Sequence, residues 1–218
     1  MKKHIMIGVM GTMLLAGCSS NNQEVKEDAF DYTVEQREAY TALNDTQKKV
    51  YAVIRNMVEN MTEGLVVIPT DSEADATLAY KAVNLDYPEY FWMPLNYIFA
   101  MHNNKYMIAM KYSDAKYNFD YLYSKARVEA MQKTIDTKTA EILALLKEDD
   151  SDYTKELKLH DFLCDAITYP TTSSESYHFN IYGALVKGSA VCEGYSRAMQ
   201  YLCRKVGIEC ILVTGYSK

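Results

Sequence analysis

Cys192 is the residue of this chain whose neighbours best suit a nucleophile. It follows a small, flexible run, Gly188-Ser189-Ala190, and opens a segment of helical periodicity that Gly207 ends. The first turn of a helix favours a thiolate, because unpaired N–H groups and the helix dipole stabilise an anion there. The alternative is a small buried residue at a helix start, since many free cysteines are buried and inert.

The helical pattern after Cys192 consists of apolar residues that recur every three or four positions, and it predicts a helix packed into a core. These residues are Val191, Tyr195, Ala198, Met199, Leu202, Cys203 and Val206.

The segment around Cys192 resembles the nucleophile region of the transglutaminase-like (papain-like) cysteine enzymes. The matching positions are Val191-Cys192, Gly194-Tyr195-Ser196, Gly207-Ile208 and Val213-Thr214-Gly215. Residues 159–170 and 181–188 also resemble the helix and approach loop of that family. The resemblance implies an α+β domain over residues 152–218, of which only the N-terminal part is present. In it the Cys192 helix packs on an antiparallel sheet whose first strand is 209–215.

The same resemblance implies a chemistry. Cys192 attacks the carbonyl of a Gln side chain or a peptide bond, and water or an amine resolves the resulting thioester. The backbone N–H of Cys192 is the expected oxyanion donor. Gly194 and Tyr195 are expected to form the substrate pocket beside the thiol. Hydrolysis and cross-linking both remain open.

The family's His and Asp follow the nucleophile strand, whereas all four histidines here, His4, His102, His160 and His178, precede Cys192. A thiol without a base is a weak catalyst. The sequence is therefore expected to be a fragment of a longer enzyme; the alternative is a non-catalytic relative. We interpret His178 as a solvated loop residue rather than a substitute base.

The N-terminus has the pattern of an export signal. Lys2-Lys3 precede an apolar run, Ile5–Ala16, that is shorter than the 20 or so residues a membrane span needs. The ending Leu15-Ala16-Gly17-Cys18 resembles the bacterial lipobox, which implies that residues 1–17 are removed and that Cys18 is lipidated. A signal cleaved elsewhere, or a buried helix, is the alternative. Residues 18–31 are polar and are predicted to be a tether.

Charge limits the partners. The formal net charge is −6, and it becomes −8 if Lys2 and Lys3 leave with the signal. An acidic chain without Lys/Arg clusters is unsuited to nucleic acid. The spacing of Cys and His residues gives no metal motif, and no cofactor is predicted.

Four cysteines remain after Cys18. We predict one reactive thiol, Cys192, and three buried ones, Cys164, Cys203 and Cys210, although export would also permit disulfides.

The remaining sequence predicts an N-terminal α+β module over 32–123 and a connecting helix over 124–151. The module contains a long helix within 32–63, a strand Leu65–Ile68, a helix capped by Ser72 and Asp75, and a hairpin of 95–101 with 106–112. An aromatic segment, Asp86–Pro94, is expected to cover the Ala76–Val83 helix; a carbohydrate or peptide platform is the alternative.

Together these patterns predict an α+β lipoprotein, anchored in the cell membrane on its extracytoplasmic face. Its thiol site would act on peptide, protein or cell-wall amides. The alternative is a non-catalytic surface module that binds such material.

Overall fold

The computed structural model describes residues 13–14, 37–102, 104–113, 118–172 and 175–215. Cys18 and the tether therefore lie outside the described residues. The fold is α+β, as predicted. It divides into two compact units, one made of Met1–Asn84 with Trp92–Leu122 and the other of Leu85–Phe91 with Tyr123–Lys218. No helix in the described residues is both long and apolar enough to cross a membrane.

Two helices open the first unit, α1 (Glu38–Thr41) and α2 (Asp45–Asn60). A capping box begins α2: the N–H of Gln47 donates to the side chain of Asn44, and Gln47 accepts from the N–H of Asn44, at 2.9 and 3.0 Å. The apolar residues of α2, among them Val50, Ile54 and Val58, are buried, and Met61, whose backbone is left-handed, caps the C-terminal end of the helix. The third helix, α3 (Glu73–Asp86), begins as predicted with Ser72 accepting from the N–H of Asp75.

The sheet of the first unit has at its centre the predicted hairpin, β3 (Ile98–His102) with β4 (Lys105–Ala109), paired from Ile98 with Ala109 to His102 with Lys105. The strand predicted at 65–68 is β2 (Val66–Val67), antiparallel to β4. A two-residue strand, β1 (Met13–Leu14), runs parallel to β3 at the other edge. A separate pair joins β5 (Tyr112–Ser113) to β6 (Asn118–Phe119).

The second unit contains α4 (Lys125–Leu143), α5 (Asp152–Ala166) and α6 (Cys192–Lys205). Between α5 and α6 lie a 3₁₀ turn (Ser176–Phe179) and a π-helical turn (Gly183–Lys187). Ser151 caps α5 by accepting from the N–H of Thr154. These short turns form the approach to Cys192.

The aromatic segment is divided between the units. Tyr80 of α3 donates a hydrogen bond to the carbonyl of Pro94, as the predicted packing on this helix requires. Residues 85–91 instead group with the second unit, where Tyr87 and Phe91 are buried. Trp92, in the first unit, donates to the carbonyl of Val58 at 2.9 Å. The aromatic side chains of this segment are thus divided between the cores of the two units.

The strand predicted over 209–215 is not formed. Burial still alternates along residues 208–213, but these residues have no regular secondary structure. Ile211 and Val213 are 48% and 78% exposed. An alternating pattern becomes a strand only when a neighbouring strand takes up its backbone hydrogen bonds. The described residues offer no such neighbour here.

Candidate functional site

Cys192 is the first residue of α6, as predicted, and its side chain is exposed. The preceding Val191 has an extended backbone and gives the helix no side-chain cap. The first bond of the helix is from the N–H of Tyr195 to the carbonyl of Val191, at 3.1 Å. The N–H groups of residues 192–194 therefore have no intrahelical acceptor. The exposed thiol thus lies beside backbone N–H groups that can donate hydrogen bonds to an anion.

The approach to Cys192 is held by backbone bonds from two sides. The N–H of Val191 donates to the carbonyl of His178 at 3.0 Å. On the other side Thr168, just beyond α5, donates to the carbonyl of Gly188 at 2.9 Å and accepts from the N–H of Ala190 at 3.3 Å. Because both contacts are main-chain, they fix where α6 begins regardless of the side chains.

Asn180 organises the turn that precedes this approach. It is buried, and its side-chain oxygen accepts from the N–H groups of Tyr182 and Gly183 at 3.0 and 3.4 Å. Its amide donates to the carbonyl of Phe91 at 3.4 Å. The π-helical turn then ends at Gly188, whose φ of 59° is a left-handed conformation that suits glycine. Sequence patterns did not single out Asn180, although an Asn before a helical turn is a known cap.

Gly194 provides the closest approach of α6 to the 3₁₀ turn. A Cβ at this position would lie 2.5 Å from the carbonyl oxygen of His178 and 2.8 Å from the Cβ of Ala190. Both distances are shorter than van der Waals contact, so no larger residue fits without a backbone shift. Gly194 thus keeps the start of α6 against the carbonyl of His178, and its role in a substrate pocket stays a prediction.

Tyr195 ties α6 to the end of α5. Its hydroxyl donates to the carbonyl of Ile167. Burial, and to a lesser extent the nearby Cys164, raises the pKa of this phenol above its ordinary value. The ring therefore stays neutral and available as a donor. Its predicted contact with substrate also stays a prediction.

The histidines do not complete a catalytic pair with Cys192. His178 was interpreted as a solvated loop residue, but it is only 6% exposed, and its Nδ1 has no partner among the described residues. The ring of Tyr177 lies beside the His178 imidazole in a T-shaped arrangement, with the ring centroids 4.5 Å apart. Within the described part of the chain, no hydrogen bond joins a histidine to the Cys192 thiol.

Of the three cysteines predicted to be buried, only Cys203 is fully so. Cys203 is buried and Cys210 half-buried, but Cys164 is exposed. Its sulfur lies 3.6 Å from Nε2 of His160, one helical turn earlier, and Nδ1 of His160 lies 3.1 Å from Oδ1 of Asp161. The spacing of His160 and Cys164 on one helix was a signal for this pair that sequence reasoning missed.

The far half of α6 is held by residues distant in the chain. Gln200 is 1% exposed, and its amide donates to the carbonyl of Leu85 at 3.1 Å. Arg204 donates to the carbonyl of Asp86. Nearer the thiol, Arg197 is buried and pairs with Glu193 at 2.9 Å. The positive charge of Arg197 thus offsets the negative charge of Glu193, the residue next to Cys192.

Among the described residues, no cluster of three or more His, Cys, Asp and Glu side chains is arranged to hold a metal ion.

Comparison with known proteins supports the resemblance carried by the Cys192 segment. The model of the transglutaminase-like superfamily matches residues 140–218. The protein named kyphoscoliosis peptidase, from Mus musculus, is 28% identical to this chain over 101 residues, covering 44% of this chain. The chain spans only 15% of the length of that relative. The superfamily implies a peptidase or acyl-transfer fold, and residues 140–218 of this chain are a transglutaminase-like domain.

Proposed function

We propose that Cys192 is the nucleophile of an enzyme that acts on amide bonds, by hydrolysis or by acyl transfer through a thioester. One observation carries the proposal: the thiol is exposed at the uncapped N-terminus of α6. The family match supports the same reaction class. No cofactor is required by this chemistry.

The proposed reaction follows from the groups at the helix start. The thiol gives up its proton and its sulfur attacks the carbonyl carbon of the amide, which places negative charge on the carbonyl oxygen. The free N–H groups at the start of α6 point toward developing negative charge and stabilise it. The amine leaves with a proton. Water or a second amine then attacks the thioester, and the Cys192 thiol is regenerated.

An activated ester tests the nucleophile separately from any base, because its leaving group departs without protonation. We expect p-nitrophenyl acetate to acetylate Cys192 before Cys164. Cys164 lies near the C-terminal end of α5, away from the unbonded N–H groups of a helix start. Peptide mapping should find the acetyl group in tryptic peptide 188–197, and hydroxylamine should remove it.

The matched control is Cys164→Ala, which alters the other thiol that is exposed in the described residues and should leave this acetylation unchanged. Cys192→Ala should abolish it. Preferential acetylation of Cys164, assisted by His160, would contradict the assignment of the nucleophile.

We also propose that the domain is anchored to the extracytoplasmic face of a bacterial membrane through a lipidated Cys18. The motif Leu15-Ala16-Gly17-Cys18 after Lys2-Lys3 and an apolar run supports this location. The substrate would then be a peptide, a protein or cell-wall material outside the cell. Two acyl chains hold a protein stably on a bilayer, since each buried CH₂ contributes about 0.8 kcal/mol.

The test of anchoring is Cys18→Ala in a bacterial host. We expect the variant to leave the membrane fraction or to accumulate with its signal uncleaved, as N-terminal sequencing and fractionation would show. Cys18 lipidation is wrong if the variant stays in the membrane with the same mature N-terminus as the parent. Ser19→Ala serves as the control, because it alters the next residue and keeps the thiol.

A non-catalytic module that binds peptide or cell-wall material is a second candidate. It is favoured by the burial of His178 and by the lack, in the described residues, of a histidine bonded to Cys192. Turnover of an amide substrate, lost in Cys192→Ala, would separate the enzyme from the binding module.

A further inference from the structure

The C-terminal end of α6 folds back on itself at Gly207. The N–H of Ile208 donates to the carbonyl of Cys203 at 2.9 Å, and the N–H of Gly207 donates to the carbonyl of Arg204 at 3.2 Å. This is the paired bonding of a Schellman motif, and Gly207 has the left-handed φ of 79° that the motif needs. The reversal carries the following residues back along α6.

This reversal brings two thiols together. The side chains of Cys203 and Cys210 lie within hydrogen-bonding reach of each other across the turn. We propose that Cys203 and Cys210 are a redox-active dithiol that closes into an intramolecular disulfide, tying the segment after Gly207 to the helix that carries Cys192. This proposal rests on the turn and on the paired thiols, so it is independent of whether Cys192 is catalytic.

The two thiols have complementary roles in such a reaction. The hydrogen bond from Cys203 lowers the pKa of Cys210 to about 7, and the charge of Arg204 acts in the same direction. The same hydrogen bond and burial raise the pKa of Cys203 above its ordinary value. Cys203 is 1% exposed, whereas Cys210 is half-buried. Cys210 is therefore the attacking thiolate and Cys203 the resolving thiol.

The oxidant is a disulfide of the glutathione or thiol oxidoreductase class. The Cys210 thiolate attacks one sulfur of that disulfide, forms a mixed disulfide and releases the first thiolate. Cys203 then loses its proton and attacks the sulfur of Cys210, which releases the second thiolate. Two thiols of this chain are oxidised to one disulfide, and the oxidant is reduced to two thiols.

The experiment uses the chain with Cys18→Ser, equilibrated in a buffer of reduced and oxidised glutathione and then alkylated with N-ethylmaleimide. Arg204 and Lys205 lie between the two cysteines, so trypsin places them in separate peptides, 198–204 and 206–218. We expect these peptides to be recovered joined by a disulfide, and separately alkylated after reduction. Cys164 and Cys192 should be recovered without a bond to either peptide.

The matched variant Cys164→Ser/Cys192→Ser keeps only the proposed pair, and it should give the same joined peptides. Cys203→Ala and Cys210→Ala should each abolish them. Recovery of peptides 198–204 and 206–218 separately alkylated from the oxidised parent would overturn the proposal, as would their bonding to Cys164 or Cys192. The parent alone decides the result, so a variant that fails to fold does not affect it.

Discussion

Replacing Cys192 with alanine is expected to lower kcat/KM for an amide substrate by at least about 10³-fold, because the substitution removes the atom that forms the thioester. The gene product should be assayed on a glutamine peptide with an amine donor and on a casein-like protein. Cys164→Ala is the matched control: it removes the thiol on α5, which is also exposed in the part of the chain that the structure describes, and should retain the parent's activity.

The same assays locate the base. No histidine follows Cys192 in the sequence, and the family resemblance places the base after the nucleophile. Loss of acid–base help costs on the order of 10² to 10⁴ in rate. We therefore expect turnover by these 218 residues to be slower, by this factor, than that of a cysteine enzyme whose thiol is paired with a histidine. Full turnover by the 218 residues that His178→Ala removes would instead assign the base to His178. No detectable turnover by the 218 residues, with binding of the peptide or protein retained, would favour the non-catalytic module.

Replacing Gly183 with alanine is expected to destabilise the second unit by at least about 3 kcal/mol. The new Cβ would lie 2.0 Å from the carbonyl oxygen of Tyr177 and 2.9 Å from that of Ser189. Both obstacles are backbone atoms, so the clash cannot be relieved by a side-chain rotation. Because Ser189 is part of the approach to Cys192, the shift should also disturb the start of α6.

Hydrogen exchange with peptide mapping measures the destabilisation of the second unit directly. We expect the amides of α5 and α6 to exchange faster in Gly183→Ala than in the parent. Fluorescence is unsuitable, because Trp92, the sole tryptophan, lies in the first unit. The control is Gly215→Ala, where an added Cβ meets nothing within 4 Å, and it should change stability by less than about 0.5 kcal/mol. Equal protection in Gly183→Ala and the parent would mean that the approach to Cys192 tolerates the extra carbon.

The elements that depend on local periodicity could be predicted from the sequence. The start of α6 at Cys192, its end at Gly207 and the hairpin of β3 with β4 all follow from patterns within a few residues. Cys164 shows the limit of such patterns. It was predicted to be buried, yet it lies one residue, and so about 100° around the helix, beyond the buried Leu163.

Contacts between distant segments could not be predicted, because the hydrophobic periodicity of a sequence describes one segment and does not show which other segment it contacts. Nothing near Gly194 indicates that it faces the carbonyl of His178, sixteen residues earlier in the chain. The strand predicted over 209–215 failed for a related reason. Alternating apolar and polar residues indicate that a segment can form a strand of a sheet. The strand forms only if a second strand, elsewhere in the sequence, pairs with it.

The position of residues 85–91 has a consequence during synthesis. The carbonyls of Leu85 and Asp86 are bonded by residues that follow them by 115 and 118 positions. A ribosome adds about 5–20 residues per second, so these groups wait on the order of ten seconds for α6 to emerge. During that time Leu122 completes the first unit while Tyr87 and Phe91, buried in the finished second unit, still lack their core. A nascent chain paused before α6 would therefore present an apolar aromatic loop to chaperones.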